Sequence, residues 1–424
     1  MTALGLRERE IRELVESVRP GADGAEDDGA GATDAFASAS WTVIAEPADE
    51  LAGTLLAHLG PAAALEALID DRSPEAIATA VEAVAGPETI GIAQLRTGLA
   101  RWRPRLSART AVLAVEQAAR FDCRLLLPCD PDWPAGLADL GRRAPYALWT
   151  RGRPGLLGTG ARTSSVTPDD AGPGIEAVAI VGARAASGYG EHVATEFAAG
   201  LVDRGVVVVS GGAYGIDGAA HRGALAGEGT TVAVLAGGLD RFYPAGHESL
   251  LRRVAASGAL LAEVPCGTPP TRYRFLQRNR VIAALADSVV VVEAGSRSGS
   301  LNTAGHAAEI GRPIGAVPGP ITSASSAGCH RLLREFPATC VTNVGEVLAL
   351  HRGDEASDTL PGFDRRSLAE LQVLDALRPR QGRDAGELAR LSGLAEREVR
   401  QVLGRLELEG AVTRGDRGWV RGHG

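Results

Sequence analysis

The stretch Val178-Ala-Ile-Val-Gly-Ala-Arg184 places four aliphatic residues directly before a turn that contains glycine. The arrangement recurs in Val206-Val-Val-Val-Ser-Gly-Gly212, Thr231-Val-Ala-Val-Leu-Ala-Gly-Gly238 and Val289-Val-Val-Val-Glu-Ala294. Short aliphatic runs that alternate with helix-like stretches are typical of βαβ units, whose strands form a parallel sheet buried on both faces. The sequence therefore predicts an α/β core.

The turns behind these runs are the expected ligand site, because ligands lie at the carboxyl ends of the strands of an open parallel sheet. The turns supply backbone N–H groups, hydroxyls and arginines, but no evident nucleophile with a base beside it. We expect a site that holds phosphate groups rather than one that breaks bonds. The intervening helices are predicted at 191–204, 216–226, 247–256, 277–286 and 301–310.

Composition narrows the class of protein. With 424 residues, of which 45% are hydrophobic, the chain can form more than one core. It has no uncharged apolar run of about 18 residues and no export signal, so we expect a cytoplasmic protein without a membrane span. The five cysteines lack the CxxC spacing of a zinc site, and we interpret them as buried free thiols: Cys123, Cys129, Cys266, Cys329 and Cys340.

The net charge of −8 argues at first against a nucleic-acid partner. Residues 1–40, however, contain nine acidic side chains and four arginines, a net −5 that leaves only −3 for the rest of the chain. Every basic side chain other than histidine is arginine. Arginine binds phosphate in a bidentate manner, but a genome rich in G and C produces the same bias, and we attribute the bias mainly to the genome.

The amino-terminal part is predicted to contain two segments. Residues 1–40 form an acidic tail, with a short helix at 6–18 and a Gly/Ala/Asp-rich run at 21–40 that is expected to be disordered. Residues 41–122 are rich in alanine and leucine and predict a small helical domain, similar to SAM or helix-hairpin-helix domains.

The α/β core is predicted at 123–350, with a polar surface insertion at 155–174. A charged linker at 351–366 follows. Residues 367–424 contain the pattern of three helices and two short strands, which predicts a winged helix.

The first two turns of the core contain candidate phosphate ligands. Gly182 allows the backbone to approach a ligand closely, and Arg184 adds a full positive charge. Ser210 and Gly211 are expected to donate to one phosphate. Asp217 and His221, four residues apart on one helical face, predict a hydrogen-bonded pair. This pair is either a base with its orienting acid or a structural support of the turn, and we favour the structural interpretation.

The segment Tyr273-Arg-Phe-Leu-Gln-Arg-Asn-Arg280 is unusually basic. Its arginines Arg274, Arg278 and Arg280 are expected to contact phosphates, while Phe275 stacks on an unpaired base. The alternative is that Arg278 or Arg280 pairs with Glu263 or Glu293 inside the fold, and we expect one of the two to do so. Ser298-Gly-Ser300 opens a further helix and is another candidate phosphate site.

These motifs together resemble the DNA processing protein A family (DprA, also called Smf). The resemblance rests on Ser210-Gly-Gly-Ala-Tyr-Gly-Ile-Asp-Gly-Ala-Ala-His-Arg-Gly-Ala-Leu225, Leu239-Asp-Arg-Phe-Tyr-Pro244, Arg278-Asn-Arg-Val-Ile-Ala283, Ser298-Gly-Ser300 and Ala316-Val-Pro-Gly319. The five motifs occur in the family's order and spacing. The resemblance extends over residues 131–347 and is looser over the flanking domains.

The resemblance implies a Rossmann-like core and a recombination mediator rather than an enzyme. Members of this family bind single-stranded DNA, form homodimers through the core and need no cofactor. They protect incoming or processed DNA and load the RecA recombinase onto strands coated with single-strand-binding protein, notably during natural transformation. The implied pocket consists of Gly182, Arg184, Ser210, Gly211, Gly212, Tyr214, Phe275, Arg278, Asn279, Arg280, Ser298, Gly299 and Ser300, with Asp217 and His221 as structural support.

Three positions depart from the family's pattern. Tyr214 stands where arginine is usual, so a stacking contact replaces one phosphate contact. Gly328-Cys-His330 replaces a Gly-x-Asn motif, and Pro337-Ala338 replaces a Gly-Ala dipeptide. The last two lie away from the implied pocket and bear on the dimer rather than on DNA.

Two other classes of function remain open from the sequence. A nucleotide hydrolase similar to the lysine-decarboxylase-like phosphoribohydrolases has a related core, but its Pro-Gly-Gly-x-Gly-Thr motif is absent from Ala236-Gly-Gly-Leu-Asp240 and from Pro318-Gly-Pro320. A transcription regulator would act through the predicted winged helix. The charges of that segment are mixed in sign, which is equally compatible with protein contact and with weak binding to duplex DNA.

Overall fold

The computed structural model describes residues 4–20, 30–86, 89–157, 176–352, 367–378, 381–415 and 417–422. These residues belong to two compact units, Met1–Ala356 and Ser357–Gly424. The predicted insertion at 155–174 lies outside the described residues from residue 158 onward, and so does the predicted linker at 351–366 from residue 353 onward.

The first unit contains a nine-stranded sheet. Its strands are β1 (Arg124–Leu126), β2 (Leu148–Gly152), β3 (Ala177–Val181), β4 (Val207–Ser210), β5 (Thr231–Leu235), β6 (Ala259–Ala262), β7 (Ser288–Val291), β8 (Ile314–Ala316) and β9 (Ala338–Cys340). Their order in the sheet is β1-β2-β6-β5-β4-β3-β7-β8-β9. The β1–β2 and β2–β6 pairs are antiparallel, and all the others are parallel.

Helices cover both faces of this sheet, as the continuous aliphatic runs predict. They are α8 (Gly188–Val202), α9 (Ile216–Ala226), α10 (Glu248–Ser257), α11 (Arg272–Leu285), α12 (Ser300–Glu309), α13 (Ala327–Glu335) and α14 (Val344–Arg352). Along β3, Ala177, Ala179 and Val181 pack into one core, while Val178 and Ile180 pack into the core on the opposite face. The prediction of a large, mostly parallel α/β sheet is confirmed.

The topology also locates a ligand site. The chain runs outward from β3 through β4, β5 and β6, then returns to the other side of β3 to form β7, β8 and β9. The turns after β3 and β7 therefore diverge at the carboxyl edge of the sheet and leave a crevice between them. Open α/β sheets bind their ligands at such a switch point.

In the described part of the chain, seven α-helices precede the sheet: α1 (Glu8–Val18), α2 (Ala30–Ile44), α3 (Glu50–Leu59), α4 (Pro61–Ile69), α5 (Pro74–Ala85), α6 (Ile92–Trp102) and α7 (Ala108–Arg120). No single helix among the described residues is long and apolar enough to cross a membrane. The consecutive helices α3 and α4 meet that test only together, and they are bent by 109°.

The short helix predicted at 6–18 is present as α1, whereas the prediction of a disordered run at 21–40 is wrong for the part of α2 up to Ser40. Ile11, Val15 and Val18 recur at helical spacing and are buried against α2 and α7, and Phe36 is fully buried. The alanines of α2 are small enough for neighbouring helices to pack closely, so a composition that resembles a disordered segment forms a buried helix. Residues 21–29, also predicted to be disordered, lie outside the described part of the chain.

The cysteines differ partly from their prediction. All five are free thiols, but only Cys123, Cys266 and Cys329 are buried, while Cys129 and Cys340 are exposed. Cys340 is exposed because it ends β9, the edge strand of the sheet. In the described residues no group of three or more His, Cys, Asp or Glu side chains is placed to hold a metal ion.

The second unit consists of three helices and a hairpin. The helices are α15 (Leu368–Ala376), α16 (Ala385–Ser392) and α17 (Glu396–Leu408), followed by β10 (Val412–Gly415) and β11 (Gly418–Arg421), which pair antiparallel. Ser367 and Asp384 accept hydrogen bonds from the first turns of α15 and α16. Val373, Leu388, Val399, Leu403 and Leu406 form the core.

Candidate nucleic-acid interface

A cleft of about 1290 Å³ lies where the topology predicts one. The turns after β3 and β7 form two of its walls, and the first two turns of α11 form a third. Nine of the predicted residues line it: Gly182, Arg184, Asp217, Phe275, Arg278, Asn279, Ser298, Gly299 and Ser300. The fold thus brings together residues from four segments that are far apart in the sequence.

The charge of this cleft is strongly positive. Arg184, Arg272, Arg278 and Arg297 line it, against the single carboxylate of Asp217. Arg184, Arg272 and Arg297 are exposed, and none of them forms an ion pair with another described residue. Unpaired guanidinium groups on a concave surface attract phosphate and donate to it in a bidentate manner.

Two aromatic rings accompany the arginines. The Phe275 ring centre lies 5.7 Å from that of Tyr243, with 58° between the ring planes. The guanidinium carbon of Arg184 lies 4.6 Å from the Phe275 ring centre. Tyr243 is 50% exposed. Aromatic rings beside unpaired arginines are the combination that holds unpaired bases of a single strand.

Arg278 lies beneath the cleft rather than on its surface. It is only 6% exposed and donates hydrogen bonds to the carbonyl oxygens of Gly211, at 2.7 Å, and Val234. Burial lowers its pKa to about 10, so the guanidinium remains charged at neutral pH. Arg278 therefore fixes the turn after β4 and contributes a positive field to the cleft floor.

The turn after β4 does not provide the predicted phosphate donors. Ser210 is the last residue of β4 and is fully buried, and its hydroxyl donates to Ile180 O at 2.6 Å. The prediction that Ser210 contacts phosphate is wrong, because the alternation of side chains along the strand directs this hydroxyl into the sheet. Gly211 and Gly212 are buried too, and their carbonyl oxygens accept from Arg278 and His247.

Tyr214 is 48% exposed but does not line the cleft. Its ring packs edge-on against His247, with ring centres 4.7 Å apart. Tyr214 therefore lies outside the cleft, and its stacking on DNA stays a prediction.

Arg280 is placed inside the fold, so its predicted contact with phosphate is wrong. The side chain is fully buried and forms an ion pair with Glu263. Burial raises the pKa of the Glu263 carboxyl, and Arg280 lowers it in part. The prediction that Arg278 or Arg280 pairs with Glu263 or Glu293 is confirmed by this pair. Arg274 is also paired inside the fold, because its guanidinium forms an ion pair with Glu46 at 2.9 Å.

Glu293 positions the turn that carries Arg184. Its carboxylate accepts from Ser187 Oγ at 2.6 Å, from Ser187 N at 2.9 Å and from Ser325 Oγ at 3.0 Å. Ser187 in turn caps α8 by accepting from Gly190 N. A Cβ on Gly182 would lie 2.5 Å from Ile216 and 2.8 Å from Glu293 O, so only glycine fits at the start of this turn.

The opposite wall is held by Asn279. Its amide Nδ2 donates to Gly299 O and to Asn302 Oδ1, both at 3.3 Å. Ser298 and Ser300 are joined by a 2.7 Å hydrogen bond between their hydroxyls. Asn279 thus supports the Ser298–Ser300 turn, whose surface faces the cleft.

Asp217 and His221 do not form the predicted pair. Asp217 accepts a long hydrogen bond from Ala213 N at 3.4 Å and lines the cleft, and burial raises the pKa of its carboxyl. His221 instead lies 2.8 Å from Thr231 Oγ1. Because Thr231 donates to Val208 O, its hydroxyl accepts from His221 Nδ1–H. Burial lowers the pKa of His221 to about 3, and with no exposed surface it cannot act as a base on a ligand.

The sequence patterns did not identify three residues that line the cleft: Arg272, Arg297 and Tyr243. Tyr243 lies in a motif already noted, Leu239–Pro244, and the tyrosine before its proline was a usable signal. Arg272 and Arg297 lie at the start of α11 and in the turn before α12. Arg297 lies beside the serine- and glycine-containing turn that precedes the helix predicted at 301–310, which was a local indication. Arg272 had none, because α11 begins five residues before the helix predicted at 277–286.

A second cleft of about 780 Å³ lies between α3, α6 and Tyr273. Three carboxylates, those of Glu46, Asp49 and Glu50, balance the arginines Arg101, Arg105 and Arg142 there. Asp49 pairs with Arg101 at 2.9 Å and Glu46 with Arg105 at 2.6 Å. Because its charges are balanced and largely paired, this cleft is a poorer match for a polyanion.

Known proteins resemble this chain in sequence and in fold. Residues 124–352 match the family model of the DNA recombination-mediator protein A. A DNA processing protein DprA of Mycobacterium tuberculosis (strain ATCC 25618 / H37Rv) is 48% identical over 320 residues, 72% of this chain and 78% of the relative. The DNA processing protein DprA of Streptococcus pneumoniae (strain ATCC BAA-255 / R6) is 44% identical over 172 residues, 41% of this chain and 60% of the relative.

A solved structure agrees with the sequence matches. The X-ray structure of DNA processing protein A from Streptococcus pneumoniae superposes with a TM-score of 0.56 and 28% sequence identity. The match covers 75% of this chain and 97% of that protein. The family consists of DNA-binding recombination mediators that are not enzymes. By the family model and the 48% identical relative, the chain belongs to the DNA recombination-mediator protein A family, DprA/Smf.

Proposed function

We propose that the protein binds single-stranded DNA in the cleft between the turns after β3 and β7. One feature of the cleft carries this proposal: its exposed arginines, Arg184, Arg272 and Arg297, lie beside the Tyr243–Phe275 ring pair, and among the described residues that line the cleft only Asp217 carries a carboxylate. The arginines neutralise consecutive phosphates, and the rings stack on bases without selecting among them. Duplex DNA keeps its bases paired and stacked, so it cannot use the rings.

The site residues divide into three groups in this proposal. Arg184, Arg272 and Arg297 contact phosphates, and Phe275 and Tyr243 stack on bases. Gly182, Ser298, Gly299 and Ser300 form the walls that approach the strand. Arg278, Asn279 and Asp217 hold the walls in position.

Membership of a family of recombination mediators supports the next step of the proposal. The protein, acting in the cytoplasm, protects incoming or processed single strands, displaces single-strand-binding protein and loads RecA onto the strand. A homodimer formed through the Rossmann-like core presents two clefts to one strand. Natural transformation is the process in which such strands enter the cell.

For the second unit we propose a winged helix formed by α15–α17 and the β10–β11 hairpin. Arg400 pairs with Glu396 at 2.5 Å and Arg405 with Glu370 at 3.5 Å, so two of the three arginines of α17 form ion pairs. On the hairpin, Arg414 lies 5.9 Å from the Trp419 ring centre. This mixed surface is suited to protein contact or to weak duplex binding.

A nucleotide hydrolase is not favoured. His221, the residue that the sequence offered as a candidate base, is buried, and burial lowers its pKa to about 3, so it is neutral. The family to which the chain belongs is not enzymatic.

Fluorescence anisotropy of labelled single-stranded and duplex oligonucleotides of equal length, at low and moderate salt, tests the proposal. We expect a preference for the single strand whose log affinity falls by about 0.7 per neutralised phosphate for each log unit of salt. Equal or duplex-favoured binding would move the function to residues 367–424. RecA filament formation on strands coated with single-strand-binding protein, with and without this protein, then tests loading.

A further inference from the structure

A shallow recess continues the cleft past its aromatic pair. Tyr243, Pro270 and Phe275 line both the cleft and the recess, so the two form one continuous surface divided by the rings. The recess itself holds only about 10 Å³, so a strand stacked on these rings continues over its rim, past Arg241, in one of its two directions.

The floor of the recess is backbone. Gly237 and Gly238 line it, and side chains at these positions have no room: a Cβ on Gly237 would lie 3.0 Å from Pro270 Cδ, and one on Gly238 would lie 2.6 Å from Pro265 O. Both glycines pack against neighbouring chain, so the recess stays shallow and a strand passes over it rather than into it.

The far wall of the recess carries a free cation. Arg241 is exposed and forms no ion pair with another described residue. The adjacent Asp240 carboxylate is directed elsewhere, since Oδ1 accepts from Gly267 N at 2.8 Å. A second cation adjoins the same segment, because the guanidinium carbon of Arg151 lies 5.6 Å from the Phe242 ring centre.

We propose that the rim of this recess is a further phosphate subsite, at which Arg241 binds the phosphate that follows the base stacked on Tyr243 and Phe275. The inference rests on the proposed function of the cleft and extends it by giving the strand a path out of the site. It also assigns a role to Arg241, which belongs to the same segment between β5 and α10 as Tyr243.

Strand length is the variable that tests this path. A short oligonucleotide fills the cleft without reaching Arg241, whereas a longer one also crosses the rim of the recess and reaches Arg241. The experiment measures the affinity of the full-length protein for oligothymidylates from about 3 to about 20 nucleotides, a range that spans the usual single-strand site sizes. The variants are Arg241→Ala, Arg184→Ala and Arg253→Ala, the last being an exposed arginine that lines neither the cleft nor the recess.

We expect Arg241→Ala to match the wild type on the shortest oligonucleotide that binds, and to bind the longest about three- to fivefold more weakly, as for loss of one exposed ion pair. On long strands its salt slope should fall by about 0.7, the loss of one phosphate contact. Arg253→Ala should match the wild type at all lengths.

An equal loss of affinity at every length would overturn the subsite, because Arg241 would then act on the cleft itself. Unchanged affinity at every length would overturn it too. Absence of single-strand binding by the wild type is a different result, which would reject the proposed function, and Arg184→Ala separates the cases by weakening all lengths if the cleft is correct.

Discussion

Arg184 lies over the face of Phe275, with its guanidinium carbon 4.6 Å from the ring centre, although the two residues come from the turn after β3 and the first turn of α11. The contact holds an exposed cation beside a ring that is partly exposed. A stacked base and its phosphate need the same two groups, so in the proposed complex the DNA replaces this contact with one contact to each group.

Replacement of Arg184 by alanine should weaken single-strand binding without weakening the fold. The side chain is exposed and forms no ion pair with the described residues, so its loss leaves no buried group unpaired. We expect about tenfold lower affinity, or about 1.4 kcal/mol, for all sequences alike. Anisotropy and thermal melting of the same sample measure both quantities; a lowered melting temperature would mean that Arg184 is structural.

Replacement of Arg278 by alanine should behave differently. The carbonyl oxygens of Gly211 and Val234 would lose their donor inside the protein, at a cost of about 1–3 kcal/mol for each group left unsatisfied. We expect a lowered free energy of unfolding together with reduced DNA affinity. Chemical denaturation of Arg278→Ala beside Arg184→Ala makes the comparison, and equal stabilities of the two variants would contradict it.

The ion pair between Arg280 and Glu263 predicts a large loss of stability when one partner is removed. Both side chains are buried, and a single remaining charge would have no counterion, which costs about 3–5 kcal/mol. Glu263→Ala should show this loss in urea denaturation. Arg252→Ala is the matched control, because its pair with Glu248 is exposed and contributes at most about 1 kcal/mol.

His221 predicts a loss of stability in acid. Burial lowers its pKa from 6.5 to about 3 in the folded protein, so between these values the unfolded chain binds a proton that the folded chain does not. The contribution is therefore complete above about pH 6.5 and is lost as the pH falls towards 3. From pH 7 to pH 5 this residue alone accounts for about 2 kcal/mol of unfolding free energy.

The variant His221→Asn isolates the contribution of His221 to the pH dependence of the unfolding free energy, because asparagine retains an N–H donor for Thr231 but does not titrate. Unfolding free energies at pH 7 and pH 5 should differ less in the variant than in the wild type. An equal pH dependence of the two proteins would show that His221 is not the group that titrates.

Phe275 and Arg184 can be separated by the salt dependence of binding. Phe275→Leu retains apolar bulk but loses the aromatic face, which should lower affinity by about 1–3 kcal/mol for one stacked base. Because no phosphate contact is lost, the slope of log affinity against log salt should stay at the wild-type value. A reduced slope in Phe275→Leu would mean that the ring acts by holding Arg184 in place.

The sequence by itself determined the parallel sheet, the turns at its carboxyl edge and the family. All three depend on local sequence patterns. In β3, for example, the aliphatic run and the glycine turn are contiguous, and the length and burial of the strand follow from that run and turn. The same local signals identified Gly182, Arg184 and Phe275 as residues of the site.

Tertiary structure alone decided which arginines are free to bind DNA. Arg274, Arg278 and Arg280 lie within seven residues of one helix, yet their partners Glu46, Gly211 and Glu263 come from three other segments. Because this helix is buried on most of its surface, each arginine has a different environment. The local sequence does not show which distant residue each arginine contacts. Arg272 and Arg297 remain available to bind DNA, because the fold places them near helix starts that face the open cleft.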